Sequence, residues 1–82
     1  MGRYYVYIIR NSSGMNYIGQ TKNVDSRVVK HNAGHVKTTR GKGLWELIYS
    51  EEYLTRTEAI IRERQLKKWR KDLINKLINS KN

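Results

Sequence analysis

An α+β fold, with a small mixed or antiparallel three-stranded sheet flanked by helices, follows from three observations on this 82-residue sequence. A Tyr/Val/Ile-rich run at Tyr4–Arg10 is followed by the polar turn Asn11-Ser12-Ser13-Gly14 and a second short apolar run. Helical spacing of apolar residues starts at Val24 and again after Thr55. Between these two stretches lies a further aromatic and aliphatic run, Leu44–Glu52. The order is β-β-α-β-α-α, which a hairpin and one later strand satisfy with helices layered on the sheet.

The first strand is apolar at nearly every position, so it is expected to be central and covered on both faces. Met15–Gln20 reads as the return strand, with Gly19 marking a bend or a close backbone approach. Asn23 is the expected N-cap of the first helix, and Gly34 its end. Val24, Arg27, Val28 and His31 share one side of that helix. Gly34–Gly43 is a basic, glycine-bounded loop, either a flexible connector or a mobile segment that follows a phosphate backbone.

In the third strand Trp45, Leu47, Ile48, Tyr49 and Tyr53 are the expected packing residues. Thr55 with Glu58 three residues on fits a capping box. Ala59, Ile60 and Leu66 then form an apolar face, which Trp69, Leu73, Ile74, Leu77 and Ile78 continue. No Pro or Gly follows Gly43, so one bent helix or two are both compatible with the sequence, with the bend at Arg70–Asp72. Ser80–Asn82 are expected to fray.

One domain spanning residues 1–82, with a modest core at about 4–78, is what this length supports. No run approaches the roughly 20 apolar residues of a membrane span. The start of the chain does not read as a signal peptide, because charge returns at Arg10 with no small-residue cleavage site after it. With no cysteine, disulfides and thiolate zinc sites are excluded and a cytoplasmic location is the default. Seventeen Lys and Arg against seven Asp and Glu give a formal charge of +10. That field favours nucleic acid as partner over anionic lipid or a mere solubility charge. Six tyrosines and two tryptophans add surfaces on which bases can stack.

Two charged residues fall on apolar helix faces. Glu63 lies between Ala59, Ile60 and Leu66 on the wheel, where a carboxylate is costly unless paired or bound to a cation. It is either an ion-pair or tyrosine partner, or a metal ligand or acid/base group in a cleft. Arg27 either snorkels to water or grips a phosphate. His31, one turn on, either fills the helix edge or bonds a phosphate or a water. Tyr7 and Tyr17, ten residues apart across the turn, are core aromatics whose buried hydroxyls need partners.

With these residues in view the chain resembles the GIY-YIG nuclease superfamily. Tyr5-Val6-Tyr7 stands at the first motif, and Tyr17-Ile18-Gly19 is the second in full. Arg27 follows Tyr17 by ten residues, and Glu63 lies in EAIIRERQLKKW, as the family's arginine and glutamate do. His31 and Asn75 match positions found in some members. The similarity covers Tyr4 to Ile78 and is greatest to small stand-alone bacterial members related to the N-terminal nuclease domain of the excinuclease C subunit. Tyr5 stands where the family name has glycine, and Gln20 where excinuclease-type members often have lysine.

The resemblance implies metal-dependent hydrolysis of phosphodiester bonds in DNA, in repair or recombination; the alternative is a non-catalytic nucleic-acid-binding module of the same fold. It implies a single, weakly held Mg²⁺ or Mn²⁺ on Glu63, Tyr17 as general base, Tyr7 as an orienting group and Arg27 as the charge stabiliser, with His31 assisting. Lys37, Arg40, Lys42 and Lys67 are the expected phosphate contacts, and Gly19 and Asn75 the supporting positions.

Overall fold

The computed structural model describes residues 2–80; of the segment Ser80–Asn82 expected to fray, Ser80 is still helical, its hydroxyl donating to the Leu77 carbonyl at 2.8 Å, and 81 and 82 lie outside the described residues. Six elements follow in the expected order: β1 Tyr4–Asn11, β2 Asn16–Thr21, α1 Val24–Asn32, β3 Trp45–Tyr53, α2 Arg56–Lys67 and α3 Lys71–Ser80. The sheet runs β2-β1-β3 and both pairings are antiparallel.

β1 is the central strand, which accounts for its unbroken apolar run. Val6, Tyr7, Ile8 and Ile9 are all buried. Alternation sends Val6 and Ile8 to one face, where Tyr49, Ala59, Leu66 and Ile74 meet them. Tyr7 and Ile9 point to the other face, against Trp45 and the half-buried Tyr17, Val24 and Val28. Thus α2 and α3 cover one side of the sheet and α1 the other.

β3 serves both layers because its register slips. Ile8 faces Tyr49 while Ile9 faces Leu47, so Ile48 is an extra residue opposite the Ile8/Ile9 step. A one-residue bulge reverses which face the later residues occupy. Trp45 therefore packs with Ile9, while Tyr49 packs with Ile8. Leu47, expected in the core, sits at a rim and is 38% exposed.

The helix ends follow their sequence signals. Asn23 caps α1, its side chain accepting from the Ser26 amide at 2.9 Å. Gly34, at φ +81°, lets the chain leave α1 while the His35 amide reaches back to the Lys30 carbonyl at 3.0 Å. Thr55 and Glu58 form the reciprocal capping box of α2. The chain breaks between α2 and α3, and the Arg70 carbonyl starts the new helix by accepting from the Leu73 and Ile74 amides. That break resets the helical register. Ile74, Leu77 and Ile78 stay with the core, whereas Trp69 and Leu73 turn out to be largely exposed, contrary to the continuous apolar face read from the sequence.

The loop after α1 is tied down rather than free. Thr39 is buried, and its carbonyl accepts from the Trp45 indole at 3.1 Å. The Asn32 side chain takes the Trp45 amide at 2.7 Å and donates to its carbonyl at 3.0 Å. Asn11 bonds the Lys42 carbonyl at 2.8 Å, tying the loop's far end to the hairpin turn.

On the opposite face, alternate residues of β3 build a charged clamp. Tyr49 and Tyr53 (2.6 Å) donate to the Glu51 carboxylate, and Arg62 of α2 grips it with two bonds, at 2.8 and 3.0 Å. The Arg62 guanidinium also lies 5.2 Å from the Trp69 ring centre, which explains that exposed tryptophan's place. Burial alone would raise the Glu51 pKa. The bonds from Arg62, Tyr49 and Tyr53 outweigh burial and hold it at about 2, below its ordinary 4.5.

A carboxylate held down in the folded state stabilises the fold fully above its unfolded pKa and ceases to do so as pH falls through the folded value. Replacing Glu51 by Gln is expected to cost about 2–3 kcal/mol at neutral pH. That difference should shrink between about pH 5 and about pH 2, as measured by urea unfolding across pH.

Candidate active site

Val24 and Val28 seat α1 on the sheet. The side chains between and after them, Arg27 and His31, are thereby turned toward β1 and β2. Tyr7 reaches them from below. Its register partner is Gly19, and a Cβ there would stand 2.6 Å from the Tyr7 hydroxyl oxygen and 2.8 Å from Cζ. Only glycine leaves room for the tyrosine to lean across β2, so Gly19 serves a close approach.

The Tyr7 hydroxyl lies 2.8 Å from His31 Nε2, and His31 Nδ1 lies 2.8 Å from the Thr39 hydroxyl. Tyr7 is 1% exposed, His31 and Thr39 each 2%. Tyr17, half-buried, stacks edge-on against His31 with ring centres 4.8 Å apart, and its ring centre is 6.3 Å from that of Tyr7. Neither a hydrogen bond nor an ion pair holds the Tyr17 hydroxyl among the described residues.

Charge at this spot comes from two helices. Burial pushes the Tyr7 hydroxyl up to about 12; hydrogen bonding from Arg27 pulls the other way, and Tyr17 and the Glu63 carboxylate push it further up. Burial, and then the Arg27 charge, lower the His31 pKa, which favours the neutral ring. Arg27 Nε is buried without a hydrogen-bond partner among the described residues. An unpaired buried donor of this kind costs about 1–3 kcal/mol and calls for an explanation in function.

Glu63 is paired neither with Arg27 nor with a tyrosine. Lys67, one turn along α2, meets its carboxylate at 2.6 Å. Lys67 is thus engaged at the edge of the cluster, half in solvent. Lys37, Arg40 and Lys42 stand exposed on the loop pinned by Thr39. Asn75 is held elsewhere: Arg10 donates to it at 2.8 Å and to Asn16 at 2.8 Å. Arg10 is three residues along β1 from Tyr7, roughly 10 Å at strand spacing.

A cleft of about 410 Å³, lined by Tyr5, Lys22, Asn23, Val24, Asp25, Leu47 and Ser50, includes none of the cluster residues in its wall. It opens at the start of α1, one helical turn before Arg27. Tyr5 and Leu47, departures from expectation on other grounds, both line it.

For a divalent cation, the hard oxygen donors near the cluster are the Glu63 carboxylate and the tyrosine hydroxyls. The described residues contain no group of three His, Cys, Asp or Glu side chains that could cage a metal. This donor set suits a Mg²⁺-like ion that keeps most of its water and takes one protein carboxylate. Lys67 would have to yield.

The family model of the GIY-YIG catalytic domain matches residues 3–79. The chain belongs to the GIY-YIG family. It is 38% identical over 79 residues to a UPF0213 protein of Staphylococcus epidermidis, covering 95% of this chain and 96% of that one. A UPF0213 protein of Staphylococcus aureus is 37% identical over 82 residues, covering 99% and 100%. The solution NMR structure of a UPF0213 protein from Bacillus halodurans superposes with a TM-score of 0.64 at 32% identity, over 96% of this chain and 85% of that one. The α+β architecture is therefore that of a small GIY-YIG domain. The family points to a nuclease-type function and to nucleic acid as substrate, and its members generally use a divalent metal. No described helix is long and apolar enough to cross a membrane.

Thr39 and the Glu51–Arg62 clamp escaped the sequence reading. Thr39 looked like one of two threonines in a basic loop, eight residues after the histidine it bonds. The Glu51–Arg62 clamp could have been sought in the alternation Tyr49, Glu51, Tyr53, which places a carboxylate between two tyrosines on one strand face.

Replacing Gly19 by Ala should force the Tyr7 ring off its site. A loss of about 1–3 kcal/mol in urea unfolding is expected. Unchanged stability would show that the ring can step aside.

Proposed function

We propose that this domain is a metal-dependent endonuclease that hydrolyses phosphodiester bonds in DNA, in the cytoplasm, as a step of repair or recombination. The observation that supports it most is the meeting of Tyr7, Tyr17, Arg27 and His31 at one spot, within reach of the Glu63 charge. The family supports the reaction class.

In this reading Tyr17, whose hydroxyl no described residue holds, gives up its own proton to solvent and as the phenolate takes the proton of the attacking water. Tyr7, which is hydrogen-bonded to His31, orients that water. Arg27, with a buried donor to spare, stabilises the charge that builds on the phosphoryl oxygens. Glu63 would hold a single Mg²⁺ or Mn²⁺, which supplies Lewis-acid stabilisation to the phosphoryl oxygens when bound. Lys37, Arg40 and Lys42 follow the DNA backbone. Lys67 adds a phosphate contact once released from Glu63, Gly19 keeps the Tyr7 approach open, and Asn75 steadies the end of β1 through Arg10.

The test is cleavage of plasmid, branched and single-stranded DNA, and of RNA, with Mg²⁺ or Mn²⁺. Arg27→Ala and Glu63→Ala should each slow cutting by roughly 10²- to 10³-fold, on the scale of losing one charge-stabilising group. Wild-type protein that cuts nothing faster than these variants would overturn the enzyme reading.

The Lys67–Glu63 ion pair favours a second reading, a non-catalytic nucleic-acid-binding module, since the carboxylate is already neutralised. Under either reading binding should fall steeply with salt, by roughly 10³-fold or more between about 50 and about 200 mM if six phosphates are met. Affinity that stays level across that range would argue against any backbone-tracking role.

A further inference from the structure

We propose that Thr39 is a positioning residue that holds His31 in the Nδ1–H tautomer, so that the Tyr7 oxygen faces the reacting centre as an acceptor. The inference rests on the nuclease reading above only for its catalytic consequence; the tautomer itself stands on geometry.

Each group in the chain Tyr7–His31–Thr39 has a limited set of protons. Neutral imidazole carries one N–H, so one nitrogen donates and the other accepts. The Thr39 hydroxyl has one proton, and the Val36 carbonyl, 3.4 Å away, is a partner that can only accept. With that proton turned toward Val36, the Thr39 oxygen accepts from His31 Nδ1–H at 2.8 Å. His31 Nε2 is then bare and accepts the Tyr7 proton at 2.8 Å.

The other end of the chain agrees. The Arg27 guanidinium only donates, and its hydrogen-bonding influence on Tyr7, which works against burial in lowering the pKa, favours the Tyr7 oxygen as acceptor. That leaves the Tyr7 proton for His31. Two groups with fixed polarity, a carbonyl at one end and a guanidinium at the other, therefore set the same direction for all three bonds.

Direction matters for chemistry. With His31 as Nδ1–H, the proton of Tyr7 points away from the site and a lone pair remains for a water hydrogen. With the opposite tautomer, His31 would donate to Tyr7, and the Tyr7 proton would point into the site as a competing donor to phosphate. Thr39 bonds His31, Val36 and Trp45 and not Tyr17 or Glu63, so it acts through His31. Its burial inside a basic loop that is otherwise exposed fits such a role, because the Trp45 indole and Thr39 carbonyl fix the backbone that presents the hydroxyl.

Long-range ¹⁵N–¹H NMR of the imidazole rings in the intact domain reads the tautomer directly. Wild-type His31 should show a protonated Nδ1 and a bare Nε2 at neutral pH. Thr39→Val removes the acceptor and should move His31 to a mixture or to Nε2–H, while Thr39→Ser should keep the wild-type pattern. In cleavage assays Thr39→Val should lower kcat roughly ten- to a hundredfold with KM for DNA little changed, and Thr39→Ser should restore most of the rate. A wild-type spectrum with Nε2–H overturns the proposal, and that result needs no folded variant. So does a Thr39→Val domain that keeps the wild-type tautomer. If wild-type protein cuts nothing, the nuclease reading fails while the spectra still decide the role of Thr39.

Discussion

The Tyr7 hydroxyl sits at the middle of the central strand, deep under α1, and a phenol buried there needs a hydrogen-bond partner. How that need is met arranges much of the molecule. The ring can lean across β2 only because its register partner is Gly19. It then finds His31, which fixes how far along the sheet α1 lies and which way it is turned. His31 in turn needs a partner for its second nitrogen, and Thr39 supplies it from the following loop. One buried hydroxyl thus links two strands, a helix and a loop, and every link lies within the candidate site. Stability and site geometry cannot be separated on this face of the sheet.

The other face uses a different device for a related end. Arg62 and Glu63 are neighbours on α2, between the core residues Ala59 and Leu66. Arg62 reaches β3 and locks onto Glu51, which two tyrosines also hold. This clamp sets the rotation of α2 about its axis. Glu63, one position on, is consequently carried toward the β1–β2 side, where its charge is felt by Tyr7. The clamp lies outside the cluster, yet it aims the carboxylate whose charge reaches Tyr7.

Most of the fold was legible in the sequence because its signals are local. Asn23, Gly34 and the Thr55–Glu58 box act within one turn of chain, and each ends up where its chemistry says it should. Tyr4–Arg10 announced a central strand because a strand covered on both faces has no polar side to show. What the sequence hid was non-local or depended on a register change. The extra residue at Ile48 reverses the facing of β3, which no alternation pattern in that strand reveals. The break before Lys71 has neither Pro nor Gly, so the exposure of Trp69 and Leu73 followed from a reset that the apolar spacing concealed. The motif residues were legible through the family pattern, but their bonds were not. Glu63 found Lys67 rather than Arg27, Asn75 found Arg10, and Thr39 had no pattern to announce it.

Charge also orders events at the proposed site. A domain carrying +10 repels a divalent cation, and its one site carboxylate is already met by Lys67. If the domain acts on DNA as proposed, arriving DNA changes both terms at once. Its phosphates lower the local potential and offer Lys67 a second anionic partner, which loosens that lysine's hold on Glu63. Its phosphoryl oxygens also provide donors that the protein itself lacks. Glu63 alone is therefore a poor metal ligand, and Glu63 beside a bound phosphate a much better one. In that reading the Lys67–Glu63 pair is a placeholder: the ammonium keeps a lone carboxylate satisfied until a phosphate draws the lysine away and a cation takes its place. Under the nuclease reading, a site assembled in this order has its full charge complement only on nucleic acid, because Glu63 is otherwise met by Lys67.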